Sequence, residues 1–197
     1  MKVDYLSAAD TAKLVRAALK RSFPGTRFPG TRFSVRSKTY SGGASIDVSW
    51  MDGPTSKLVD GIAGQFVGGR FDGMTDMKIG VKHWLLPDGT ATVASNPGTE
   101  GSMGVLPAER GWMPHPGARL VHFCADFILC TRRTSPALVG RVLDRMKAQG
   151  VPVELLEIRT GYDGSGHIAA RGYTADAELW EREARNQINR FMAVRAA

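Results

Sequence analysis

Apolar positions in the first quarter of the chain recur with two different periods, and the switch between them marks the opening elements. Leu14, Val15, Ala18 and Leu19 fall on one helical face, while Lys13, Arg16 and Lys20 recur on the opposite one. Ser7 stands ahead of this run with Asp10 three residues on, the short form of a capping box. Phe23-Pro24 closes it, because a residue before proline is pushed out of helical geometry. A tandem pentapeptide, PGTRFPGTRF (24–33), follows. Two copies are too few for a solenoid, so it reads as a local duplication that lengthens a loop. From Val35 the period falls to two. With Gly42-Gly43 as the turn, Val35, Ser37 and Thr39 face Trp50, Val48 and Ile46. The other face then sets Arg36 against Ser49, Lys38 against Asp47 and Tyr40 against Ser45. One register collects the apolar side chains and also places a cation opposite a carboxylate.

Further along, Asp52-Gly53-Pro54 turns into a second helix whose stripe is Leu58, Val59, Ile62, Ala63 and Phe66. Residues 75–93 read as two strands joined at Pro87-Asp88-Gly89. Residues 94–119 carry Pro97, Pro107, Pro114 and Pro116 and no periodicity, the pattern of a binding loop or lid. A single buried strand is expected over 119–130, then a basic turn at Arg132 and Arg133. A helix from Pro136 to about Gln149, a strand over 153–160 and a helix over 174–192 complete the chain. Trp180, Ala184, Ile188 and Phe191 form the stripe of that last helix, with acidic residues at its start and arginines at its end, as the macrodipole prefers. The expected fold is α+β: a helix–hairpin–helix opening on a largely antiparallel sheet, with further helices and a long irregular loop.

Composition narrows the class of molecule. A chain of 197 residues with 43% hydrophobic and 23% charged residues has the makings of a globular core, and is neither disordered, fibrous nor coiled coil. Its longest apolar stretch, VHFCADFILC (121–130), falls short of the ~20 residues a membrane helix needs, so no membrane is expected as a partner. No secretory leader pattern opens it, and two cysteines make no disulfide framework, so a reducing cytoplasm is expected. Charge is uneven. The first 40 residues hold nine Lys or Arg against Asp4 and Asp10, which accounts for the whole net charge of +7. A basic segment on a neutral body points to an anionic partner, and its bland counterpart is a solvated face.

Catalytic motifs are wanting. On one continuous strand His122, Cys124, Asp126, Ile128 and Cys130 would share a face, with His122 and Cys124 in reach of one metal. Cys130 is then too far along, and His83, His115 and His167 lack motif spacing, so no metal and no cofactor is assigned. GYDGSGH (161–167) sets Ser165 near His167 without the GxSxG elbow and reads as a turn. GTEGSMG (98–104) lacks the GK[ST] ending of a phosphate loop. Asp72 and Asp76 suit Mg²⁺ or a turn, and Asp72-Gly73 favours the turn. What stands out is a basic face: Lys13, Arg16, Lys20, Arg32, Arg36 and Lys38 with Tyr40, Ser45 and Ser49. Its cations would hold phosphates, its tyrosine stack on a base and its serines donate hydrogen bonds. An acidic protein groove would engage the same residues.

The string SVRSKTYSGGASIDVSWMDGPT (34–55), followed by FDGMTDMK (71–78), resembles the large polyvalent protein-associated domain family numbered 29. The opening YLSAADTAKLVRAALKRSFPG (5–25) is similar to that family's leading helix, and the resemblance extends over about residues 4–145. The doubled PGTRF departs from the expected single copy. The resemblance implies residues 1–150 as the α+β domain, with the strand and helix of 151–197 packed on it. It also implies an accessory protein of a phage or plasmid, of counter-defence type (anti-CRISPR or anti-restriction), at work in the host cytoplasm. Such a protein would bind a host defence complex or nucleic acid. No catalytic residues carry over, and membership alone supplies no mechanism. Two other readings stand beside it. One is an enzyme with a site beneath the 94–119 loop, built from Asp72, Asp76, His83, Glu109 or His115. The other is a structural module forming a homodimer through the C-terminal helix around Trp180.

Overall fold

The computed structural model describes residues 2–25, 28, 30–95, 97–99, 113–172 and 174–191. Ser7 caps as its position predicts: its hydroxyl accepts the Asp10 N–H at 3.1 Å and donates to the Asp10 carboxylate at 2.7 Å, starting α1 (Ala8–Ser22). A short strand that periodicity did not announce, β1 (Asp4–Leu6), precedes it. The hairpin forms as β2 (Ser34–Tyr40) and β3 (Gly43–Met51), and Lys38 meets Asp47 at 2.7 Å. Its connecting residues are Ser41 and Gly42, one position earlier than expected. Gly42 takes the left-handed conformation (φ +84°), and Gly43 already lies in the strand, where a Cβ would collide with the Asp126 carboxylate.

Helix α2 (Ser56–Ala63) buries Val59 and Ala63 and ends in a 3-10 turn that carries Phe66 inward, while Leu58 stays outside. Strands β4 (Gly69–Asp72) and β5 (Met77–Gly80) form an antiparallel pair. Strands β6 (Lys82–Leu85) and β7 (Ala91–Ser95) flank the expected Pro87-Asp88-Gly89 turn, where Asp88 accepts the Thr90 N–H at 2.8 Å.

The single strand expected over 119–130 is two: β8 (Arg119–Phe123) and β9 (Phe127–Arg133), in different sheets. Between them the backbone changes partners at every residue. Cys124 donates to Leu6, Ala125 accepts from Gly68, and Asp126 donates to Ala44, each at 2.8 Å. His122 and Cys130 therefore do not share a strand face. The larger sheet has the order β1-β8-β6-β7, with β1–β8 parallel and the β8–β6 and β6–β7 pairs antiparallel. The other has the order β2-β3-β9.

Helix α3 (Pro136–Ala148) starts on the Ser135 hydroxyl, which accepts the Leu138 N–H at 3.1 Å, with proline in its first turn. A 3-10 turn then leads to β10 (Leu156–Thr160), which pairs with a strand read beforehand as part of a turn, β11 (Gly166–Ala170). The GYDGSGH segment supplies the loop between them, with Ser165 donating twice to Asp163. Thr174 caps α4 (Ala175–Arg190).

Packing divides the chain into two compact units. The first comprises 1–22, 33–48 and 59–130; the second comprises 23–32, 49–58 and 131–197, so α3 belongs with the C-terminal elements. In the first, Val15, Leu19, Ile46, Phe66, Val121 and Phe123 are buried, with the Phe66 and Phe123 rings edge to face at 5.5 Å. In the second, Val139, Val142, Met146, Leu156, Ile168, Ala184 and Ile188 form a core on which Trp180 and Phe191 pack half-buried. No helix among the described residues is long and apolar enough to cross a membrane.

Candidate functional site

The buried stripe of α1 (Ala8, Thr11, Ala12, Val15, Ala18 and Leu19) leaves Lys13, Arg16 and Lys20 outside. Arg16 does more than face solvent: its guanidinium donates to the Val35 carbonyl at 2.6 Å and so ties the helix to β2. On β2 only Val35 is buried, and Arg36, Lys38 and Tyr40 are exposed, the tyrosine at 46%. The structure thus brings Lys13, Arg16, Lys20, Arg36, Lys38 and Tyr40 onto adjoining elements of one unit.

Their charges are not equally available. Lys13 pairs with Asp10 and Lys38 with Asp47, both at 2.7 Å. Among the described residues no carboxylate pairs with Arg16, Lys20 or Arg36. Exposed pairs of this kind are worth about 0–1 kcal/mol, so Lys13 and Lys38 can exchange a carboxylate for a phosphate at little cost. Three of the nine candidates do not share this exposed cationic face. Ser45 is buried at 9% exposure. Ser49 and Arg32 belong to the second unit.

The groups weighed for chemistry are occupied structurally. Asp72 is buried and accepts the Met74 N–H at 3.0 Å and the Thr99 N–H at 2.6 Å, as turn chemistry predicts. Asp76 sits exposed at φ +56°. His115 accepts the Gly117 N–H at 3.0 Å. His83 lies against Phe123 with its Nδ1 unpartnered, and burial, reinforced by His122, lowers its pKa to about 4. The His122 Nδ1 meets the Val81 carbonyl at 3.0 Å. Burial, then Asp60, pushes the Cys130 thiol up to about 12, the setting of an inert cysteine. Glu109, residues 100–112 of the long loop and part of the PGTRF duplication fall outside the described residues. Among those that are described, no three His, Cys, Asp or Glu gather to hold a metal.

Arg132, expected in a basic turn, lies instead at the end of β9 and is central to the second unit. The Arg132 guanidinium donates to the carbonyls of Asp52 (3.1 Å), Gly53 (3.2 Å), Ile188 (3.0 Å) and Phe191 (2.6 Å). It therefore ties the turn after β3 to the last carbonyls of α4. Asp52 itself, at φ +55°, accepts from both the Ser135 N–H and the Ser135 hydroxyl at 2.7 Å, steadying the residue that caps α3. No local pattern announces these links, since the partners are distant in the chain.

These features define an α+β protein with an exposed cationic helix–strand face. The chain belongs to the large polyvalent protein associated domain 29 family, which it matches over residues 6–105. That span takes in α1, the hairpin and α2, and so the whole of the exposed cationic face. The family ties the chain to the proteins of phages and plasmids. No curated protein and no solved structure matches it.

Proposed function

We propose that this is an accessory protein of a phage or plasmid that docks its α1–β2 face on nucleic acid, holding phosphates rather than reading base edges. Counter-defence in the host cytoplasm is the role this would serve. The observation that carries the reading is the set of three cations without carboxylate partners among the described residues, Arg16, Lys20 and Arg36, on two elements joined by the Arg16–Val35 bond. An exposed Tyr40 on the same strand offers a surface on which an unpaired base stacks.

The test is binding of the full chain to a short duplex and a single strand across a salt series. Three cations displacing counterions give a slope of log K against log salt of about −3 on duplex DNA, and recruitment of Lys13 and Lys38 steepens it toward about −4.5. The double variant K20E/R36E leaves the Arg16 bond intact, and it is expected to weaken binding and flatten the slope. Undiminished binding by that folded variant overturns the reading. No binding even at low salt moves the surface to an acidic groove on a host defence complex, to be sought by pull-down with the same variant as control.

A further inference from the structure

The second unit contains a cavity of about 630 Å³ lined by Thr55, Ser56, Lys57, Arg132, Asn189 and Arg190. Three elements supply it: the start of α2, the end of β9 and the end of α4. Its composition is one-sided. Among the described residues three cations line it and no carboxylate does. Arg132 is held in place by four backbone carbonyls, with one Nη1–H over among the described residues, and the charge it brings to the cavity wall is partly offset by the nearby Asp52 carboxylate. Lys57 and Arg190 are exposed and have no ion pair among the described residues. A second cavity of the same unit, of about 370 Å³, shows the contrast. There Glu178 and Glu181 join the lining, Arg185 pairs with Glu181 and Arg159 pairs with Glu157, each at 2.6 Å. In that cavity Arg159 and Arg185 are paired with carboxylates; in the larger one Lys57 and Arg190 are not, among the described residues.

We infer that the larger cavity is a binding site for a phosphomonoester of about mononucleotide size. A fixed guanidinium and two adjustable cations suit a dianionic phosphate. The Thr55 and Ser56 hydroxyls and the Asn189 amide offer hydrogen bonds to the organic part. The volume lies within the roughly 300–1,000 Å³ of small-molecule sites, and a phosphate alone leaves much of it open. This site is separate from the α1–β2 face and does not depend on it.

The test is titration of the full chain with 5′-AMP, adenosine and inorganic phosphate, followed by calorimetry and by amide shifts. Saturable binding of 5′-AMP is expected, with none of adenosine. The double variant K57E/R190E alters two exposed side chains and should weaken 5′-AMP roughly tenfold or more, whereas K20E/R36E should leave it unchanged. Three results each overturn the inference: no saturable 5′-AMP binding, adenosine binding as well as 5′-AMP, or K57E/R190E binding like the parent chain. Competition by a 5′-phosphorylated oligonucleotide, but not by its unphosphorylated twin, identifies a strand terminus as the source of the phosphate. Absence of competition identifies the free mononucleotide.

Discussion

Burial of His83 makes the stability of the first unit depend on pH in a direction that can be worked out. The ring is 2% exposed, lies 5.0 Å from Phe123 and, among the described residues, has no partner for Nδ1. Its folded pKa is about 4 against an ordinary 6.5, chiefly because burial penalises the charged ring and secondly because His122 adds positive potential. The unfolded chain therefore binds this proton more readily than the folded one. Stability is complete above pH 6.5 and is lost as pH falls toward 4. Linkage over that interval costs about 2 kcal/mol by pH 5 and about 3 kcal/mol by pH 4. Urea denaturation at a series of pH values, on the parent chain and on His83→Phe, isolates the effect. Contributions from groups remote from His83 are common to both proteins and cancel in the difference. The parent should lose about 2 kcal/mol relative to the variant between pH 7.5 and pH 5. His83→Gln, polar but without charge, serves as a second control. A difference that stays flat over this range would refute the assignment of a buried, neutral ring.

Two backbone positions yield further predictions. Gly68 passes so close to β8 that a Cβ would coincide with the Phe123 carbonyl oxygen, and its own N–H and carbonyl are pinned by Ala125 and Val81. Gly68→Ala should cost about 3 kcal/mol or more, seen as a fall in Tm on the order of 10 °C; an unchanged Tm would show that the approach relaxes freely. Asp52→Ala removes both bonds to Ser135 and leaves alanine at φ +55°, which should cost about 3 kcal/mol. Asp52→Asn tolerates that conformation and should cost roughly half as much in the same denaturation assay.

Local signals carried much of this fold. Ser7, Ser135 and Thr174 cap helices because a hydroxyl ahead of an apolar stripe satisfies amides within three residues of itself. The hairpin followed from alternation, and its Lys38–Asp47 pair formed. The misses are long-range. Nothing near Cys124-Ala125-Asp126 marks a break, because the break comes from Leu6, Gly68 and Ala44, which are remote in the chain. Strand β11 hid in a glycine-rich stretch whose role is set by pairing with β10. The cationic face was legible as far as it is helical or on an edge strand. Ser45 is buried although it alternates with Asp47 and Ser49, which are not, so period two alone does not give its exposure. Lys57, Arg132 and Arg190 share no sequence pattern, so only folding could bring them to one cavity.

The order β1-β8-β6-β7 bears on how the protein can be dissected. Strand β8 sits between β1 and β6, yet it lies beyond residue 105, where the family match ends, and β1 lies almost wholly before residue 6. A fragment trimmed to the matched span would keep the exposed cationic face but strip β6 of one hydrogen-bonding neighbour, exposing an open edge that invites aggregation. The stretch that carries the family's signature is thus shorter than the sheet to which it contributes. Evolutionary transplantation of this domain into another polypeptide would have to carry β8 along or replace it.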